Sequence, residues 1–299
     1  MDYVIETSDL TKRFPGKLAV DHVDMHVGRG EIYGLIGKNG AGKTTAMKMI
    51  LGILTPTEGS ISLFGSTELN AMRRRIGSLI EAPGIYKNCT AYENMKRFSL
   101  LSGGSDEDIA YLLDFVGLGK VGKRKAGAFS LGMKQRLGIA IALLGDPEVL
   151  ILDEPINGLD PAGIKEIRDL IIRLNSEKGV TVLISSHLLD ELGKVATTYG
   201  IINNGKLVEE ISAEKLADRC RQGLKITLDD PTRAESILRD KGYVDCHVKG
   251  NVLYLHTDTD RSAEINELLV KSGIRVSELT AQNNSFEEFF IERLGKRYE

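Results

Sequence analysis

The sequence predicts an α/β fold: a parallel sheet covered by helices on both faces, followed by a small α+β module. Three observations predict it. The runs IYGLIG (32–37), VLILD (149–153) and VTVLISS (180–186) are predominantly apolar without alternation, as strands buried on both faces are. Between the last two, GIKEIRDLIIRLNSEKG (163–179) carries apolar residues at helical spacing, so strand, helix and strand follow one another as in parallel sheets. After GIINNGKLVEE (200–210), a hairpin-like pair of short strands, the pattern restarts as a second unit.

Taken in order, HVDMHV (22–27) alternates polar and apolar residues and meets Gly28-Arg29-Gly30, which predicts a strand ending in a turn. IYGLIG is the next strand, followed by a glycine-rich loop and a helical TTAMKMILGIL. GSISLFG (59–65) is a short strand bounded by glycines. From about 84 to 145 the spacing is helical, as in AYENMKRFSLL and DEDIAYLLDFVGL, which predicts a helical subdomain. In the second unit, KITLDD, AESILRDKGY, CHVKG, NVLYLHT, SAEINELLVKSG, RVSELT and SFEEFFIERLG predict strand, helix, strand, strand, helix, strand and helix. That order suits a ferredoxin-like module. The expected division is therefore 1–212 and 213–299.

Composition sets limits on function. With 42% hydrophobic and 27% charged residues the chain is of ordinary globular type, and its formal charge of -3 is spread over both parts. Neither part is basic, which argues against a nucleic-acid partner. Cys89, Cys220 and Cys246 are far apart and form no CxxC pair, so packing roles in a reducing compartment are expected. The chain opens MDYVIETSDLTKRF, without a signal-peptide pattern. Its longest apolar run, LGIAIALLG (137–145), is far short of the roughly 20 residues of a membrane span. A soluble cytoplasmic protein is expected, with any membrane work done through other subunits.

The strongest motif is GKNGAGKT (37–44), which fits G-x-x-x-x-G-K-[ST] in the required strand–loop–helix context. Its backbone N–H groups and the helix N-terminus suit phosphate. Gly37, Lys38, Asn39, Gly40, Ala41, Gly42, Lys43, Thr44 and the adjoining Thr45 are the candidate ATP-binding residues. Lys43 is expected on the β- and γ-phosphates, and Thr44 on Mg²⁺. VLILDEP (149–155) delivers two acids at the end of a strand. Alone, such a pair also serves as a helix cap. After a phosphate loop, Asp153 is expected on Mg²⁺ and Glu154 beside the γ-phosphate, orienting or deprotonating the attacking water.

FSLGMKQR (129–136) opens a helix at Ser130 and Gly132. Between GKNGAGKT and VLILDEP, it resembles the LSGGQ signature of the ATP-binding cassette (ABC) ATPases. Leu131 stands where glycine is commonest in that family, and Met133 where glutamine is. NGLDPAG (157–163) resembles the family's D-loop, with Asp160 as its acid, and SSH (185–187) its switch histidine, His187. Phe14 matches the adenine-stacking aromatic, although a core role suits it as well. The resemblance covers about residues 1–210. It implies a P-loop NTPase core and a head-to-tail dimer of two copies, or of one copy and a related ATPase. In that dimer Ser130 and Gly132 of one subunit close on ATP held by the other. It also implies polytopic membrane subunits, which would keep the chain on the inner face of the cell membrane.

IGSLIEAPGIY (76–86) refines the resemblance. Glu81 closes an apolar run, where a buried carboxylate would need a cation, a metal or several N–H donors. Aligned on Tyr86, it occupies the family's Q-loop position, where a glutamine oxygen is usual. There it is implied both as a ligand of Mg²⁺ and as a catalytic group. With SLGMKQR and the short EAPGIY loop, this looks like the ABC ATPases of bacitracin resistance and lantibiotic immunity, whose partners export peptide antibiotics. An exporter of drugs or lipids, or a regulatory ABC complex that moves no substrate, is the alternative. His247 and His256 near Cys246 lie on strand patterns that need no metal, and dimer contact or regulation is expected of the 213–299 module. The basic GKVGKRK (119–125) suits a solvated face or a contact surface.

Overall fold

The computed structural model describes residues 2–102, 104–220, 223–257, 259–282, 286, 289, 290 and 293. It falls into two compact units, one running to Ala213 and the other beginning at Glu214.

In the first unit, β1 (Tyr3–Phe14) pairs antiparallel with β2 (Lys17–Val23), β3 (His26–Gly28) and, later in the chain, Glu58–Leu63. The stretch 22–27 is thus divided rather than a single strand. Asp24 Oδ1 accepts from the Asp9 N–H at 2.6 Å, and both Asp9 and His22 have φ of 50°, so the pairing breaks between β2 and β3. β1 itself, twelve residues long, was hidden by its imperfect alternation: Thr7 and Thr11 are buried along with Val4, Ile5 and Leu10.

The site rests on a second sheet. It contains β4 (Ile32–Ile36), β6 (Ile76–Leu79), β7 (Val149–Asp153), β8 (Thr181–Ser186), β9 (Thr198–Asn203) and β10 (Lys206–Ser212) in the order β10-β9-β4-β8-β7-β6, while β5 (Glu58–Leu63) is the strand already placed in the first sheet. All its pairs are parallel except the β9–β10 hairpin. Every residue of β4, β7 and β8 is buried, which explains their unbroken apolar runs. Helices occupy Lys43–Ile50, Ala91–Ser102, Asp106–Phe115, Leu131–Ala142 and Pro161–Lys178. The last begins with Asp160 as N-cap and proline in its first turn, and ends at Gly179 in the left-handed region.

The second unit has β11 (Gly223–Leu228), β12 (Cys246–Lys249), β13 (Val252–His256) and β14 (Val276–Gln282) in the order β12-β13-β11-β14, every neighbour antiparallel. Helices Pro231–Asp240 and Ser262–Lys271 follow the first and third of these strands. This is the ferredoxin-like βαββαβ arrangement. Its core joins Leu224, Ile226, Leu238, Leu253 and Ile265 among others. The helix expected over 285–295 lies mostly outside the described residues; Phe286, Phe289, Phe290 and Arg293 are helical. Among the described residues no helix is long and apolar enough to cross a membrane.

Candidate functional site

β4 ends at Ile36 and the chain turns through Gly37–Gly42 into the helix starting at Lys43. Glycine is required at two points of this turn. A Cβ on Gly37 would lie 2.4 Å from the Ile202 carbonyl oxygen, and Gly42 combines a φ of 112° with a carbonyl, that of Ala19, 2.5 Å from any added Cβ. Gly42 caps the helix without a side-chain acceptor, so the first-turn N–H groups keep their capacity for an anion. The turn forms one wall of a cleft of about 510 Å³, lined by residues 39–45 together with Lys17, Ala19 and Glu154. Gly37 and Lys38 meet the cleft through Lys43: its ammonium donates to the Gly37 carbonyl at 2.5 Å and lies 3.4 Å from that of Lys38.

Lys43 is only 5% exposed, and a cation so placed needs counter-charge. Glu154 supplies it, with Oε1 3.2 Å from the ammonium. That oxygen is buried and has no aligned hydrogen bond, while Oε2 is 2.8 Å from His187 Nδ1. Glu154 itself is in the left-handed region, φ 50°, as strained residues of functional sites often are. Thr44 Oγ1 donates to Asp153 Oδ2 at 2.8 Å, and Asp153 is 3% exposed. Lys43, Thr44, Asp153, Glu154 and His187 are thus assembled from the ends of two adjacent strands, β7 and β8, and the helix that follows β4.

Ser185 completes the group, and sequence reasoning passed over it. Fully buried at the end of β8 and in register with Asp153, it donates to Asp153 Oδ1 at 2.6 Å and accepts the Glu154 N–H at 2.9 Å. A hydroxyl ending an apolar strand, beside a strand that ends in an acid, was the available signal. Lys17 in the cleft lining was also missed. It stands opposite Phe14 in the β1–β2 register, whereas Phe14, 38% exposed with the Lys12 ammonium 5.4 Å from its ring centre, ends β1 and is not in the cleft's lining.

The residues fit a nucleotide triphosphate: an uncapped helix N-terminus, a buried lysine, and an acid whose buried oxygen lacks a hydrogen-bond partner. They fit Mg²⁺ as well. Among the described residues no three His, Cys, Asp or Glu side chains gather to hold a metal alone. The Thr44 hydroxyl and the Asp153 carboxylate are hard oxygens, and Mg²⁺ commonly takes one or two protein ligands and completes its shell with phosphate and water.

Ser130, Gly132 and Asp160 stand apart from the cleft lining. Ser130 N-caps the Leu131–Ala142 helix, its Oγ accepting the Met133 N–H at 3.2 Å, and Asp160 Oδ1 accepts the Gly163 N–H at 3.1 Å. The two caps are neighbours: a Cβ on Gly132 would lie 3.8 Å from Gly163 Cα. Glu81 is elsewhere than an apolar interior. Its side chain is 67% exposed, its φ is 62°, and Oε1 is 2.6 Å from the Lys48 ammonium.

A strand–glycine loop–helix with a buried lysine, beside a strand that delivers Asp and then Glu, defines a P-loop nucleoside triphosphatase. Residues 20–157 match the family described as ABC transporter. The chain is 42% identical to the bacitracin transport ATP-binding protein BcrA of Bacillus licheniformis, over 99% of this chain and 98% of that one. It is 46% identical to the lantibiotic transport ATP-binding protein SrtF of Streptococcus pyogenes, over 69% of this chain and 90% of that one. The crystal structure of the ADP conformation of MJ1267, an ATP-binding cassette of an ABC transporter, superimposes with a TM-score of 0.67 at 26% identity, covering 74% of this chain and 95% of that chain. The chain belongs to the ABC transporter family, as one of its ATP-binding, ATP-hydrolysing subunits.

Proposed function

We propose that this subunit hydrolyses ATP to drive export of a peptide antibiotic of the bacitracin or lantibiotic kind through separate membrane subunits. The observation that carries the substrate class is the 42% identity to a bacitracin transport ATP-binding protein along practically the whole of both chains. Glu81 at the Q-loop position agrees with it.

The chemistry follows from the site. Thr44 and Asp153 would hold Mg²⁺, which would supply charge neutralisation at the phosphates. Lys43 exchanges its contact with Glu154 for the β- and γ-phosphates. Glu154, freed on that side and held on the other by His187, orients the attacking water and accepts its proton. Ser185 fixes Asp153 and the Glu154 backbone together, so the two acids keep their spacing. Phe14 stacks on adenine at the rim, beside Lys17. Ser130, Gly132 and Asp160, remote from this chain's own cleft, serve the nucleotide of a second ATPase subunit in a head-to-tail dimer. Glu81 would offer a carboxylate oxygen to Mg²⁺ and to the attacking water. The subunit is then a peripheral protein on the inner face of the membrane.

Deleting the gene tests the substrate. Sensitivity to a bacitracin-like or lantibiotic-like peptide is expected to rise, with rescue by the native chain and no rescue by Glu154→Gln. Unchanged sensitivity to every cell-envelope peptide tried would remove the antibiotic and leave the ATPase.

A further inference from the structure

Glu81 and Lys48 are 33 residues apart in sequence, yet their charged ends meet at 2.6 Å. Lys48 belongs to the helix that begins with Lys43 and Thr44, and it follows Thr44 by four residues. Residues so spaced share one helix face, about 6 Å apart along the axis. The Glu81 carboxylate is therefore paired with the same helix face that carries, one turn earlier, the hydroxyl that bonds Asp153.

The loop carrying Glu81 is tied at its other end. The Tyr86 N–H donates to Asn94 Oδ1 at 2.7 Å, and Asn94 Nδ2 donates back to the Tyr86 carbonyl at 3.1 Å, with Asn94 fully buried. Midway, Pro83 packs so close to the Leu131–Ala142 helix that a Cβ on Gly138 would stand 3.0 Å from it. Between these fixtures, Glu81 adopts a φ of 62° that a non-glycine residue takes at a cost. Of the contacts described, the Lys48 ion pair is the one that holds its side chain.

We propose that Lys48 is a positioning residue of this ATPase, the cation that pairs with the acid at position 81. It holds Glu81 close to the metal end of the site before nucleotide binds and cancels a charge that would repel the entering phosphates. A glutamine at the same position would need no such partner. This rests on the proposed role of Glu81 in ATP hydrolysis.

The test uses the full chain and two readouts that need no turnover. The first is hydrogen exchange of residues 80–86 without nucleotide, and the second is affinity for a fluorescent ATP analogue with Mg²⁺. Lys48→Met is expected to speed exchange and to weaken nucleotide binding by about 2–5-fold, the range of a partly exposed ion pair. Lys48→Arg should restore both. In a Glu81→Gln background, Lys48→Met should add nothing to either. Equal effects in both backgrounds, or faster exchange with unchanged affinity, would overturn the positioning role and leave Lys48 a structural residue. The underlying reading fails by a different result, native ATP turnover in Glu81→Ala.

Discussion

The two units of this chain bury different things. The first hides Lys43, Asp153, Asn94, Gln135, Ser185 and Ser186 among its apolar residues, whereas the buried residues described in the second are apolar apart from the Cys246 thiol. Burying polar groups costs stability unless each finds a partner, so a fold keeps them where chemistry needs them. Four of these six groups, Lys43, Asp153, Ser185 and Ser186, lie at one end of one sheet. The ferredoxin-like unit spends its interior on packing, with Leu238, Leu253 and Leu269 wholly enclosed. The contrast separates a unit that reacts from one that is built to be stable.

The largest effect that would sharpen this contrast is on turnover. Glu154→Gln keeps the size of the side chain and removes the base, and ATP hydrolysis should fall about 10²–10⁴-fold while nucleotide binding persists. Single-turnover hydrolysis and equilibrium binding separate the two; turnover close to native would take Glu154 out of the mechanism. In the second unit, Leu238→Ala should cost about 2–5 kcal/mol of that unit's stability, because it empties a fully buried site. Denaturant unfolding followed by hydrogen exchange should place the loss at 223–282, with MgATP affinity unchanged. A comparable loss of nucleotide affinity would break the division of labour.

Ser185→Ala comes next. It leaves the Glu154 N–H and an Asp153 oxygen without their shared partner, at a cost of about 1–3 kcal/mol. Because the hydroxyl orients the proposed metal ligand, the Mg²⁺ concentration for half-maximal turnover should rise about 10–100-fold. A stability loss with an unmoved Mg²⁺ requirement would make Ser185 a packing residue only.

How far this was legible beforehand depended on whether the signal was local. The glycine loop, Asp153 and Glu154, and the Ser130 cap declare themselves within a few residues, because backbone conformation and strand direction are set there. The ferredoxin-like order was legible too, from five or six short periodic segments. Lys48 was not, since nothing local says that the face of the first helix meets the end of β6. For the same reason Glu81 read as a carboxylate in apolar company: Leu79 is buried, but the chain turns left-handed two residues later and the side chain leaves the interior. Ser185 needed strand register, which a single sequence does not carry.

The smallest predicted effect lies on β7, whose two ends repeat the contrast between the units. Asp153 ends the strand in a buried site, while Glu148, just before its start, is 42% exposed in its side chain and bridges Arg29 at 2.9 Å and Arg75 at 2.5 Å. Burial pushes the Glu148 carboxylate up, but the hydrogen bonds and charges of the two arginines outweigh it and hold it below the usual 4.5. The unfolded chain therefore takes up this proton first as acid is added. The stabilisation is fully present above pH 4.5 and is lost as pH falls through the lower folded value. Solvent and salt screen a pair this exposed, so Glu148→Gln should cost only about 0.5 kcal/mol at neutral pH. Below pH 4.5 the variant and native unfolding curves should converge, and 1 M salt should narrow their gap at pH 7. A gap that persists into acid would mean that Glu148 acts through its neutral hydrogen bonds rather than its charge.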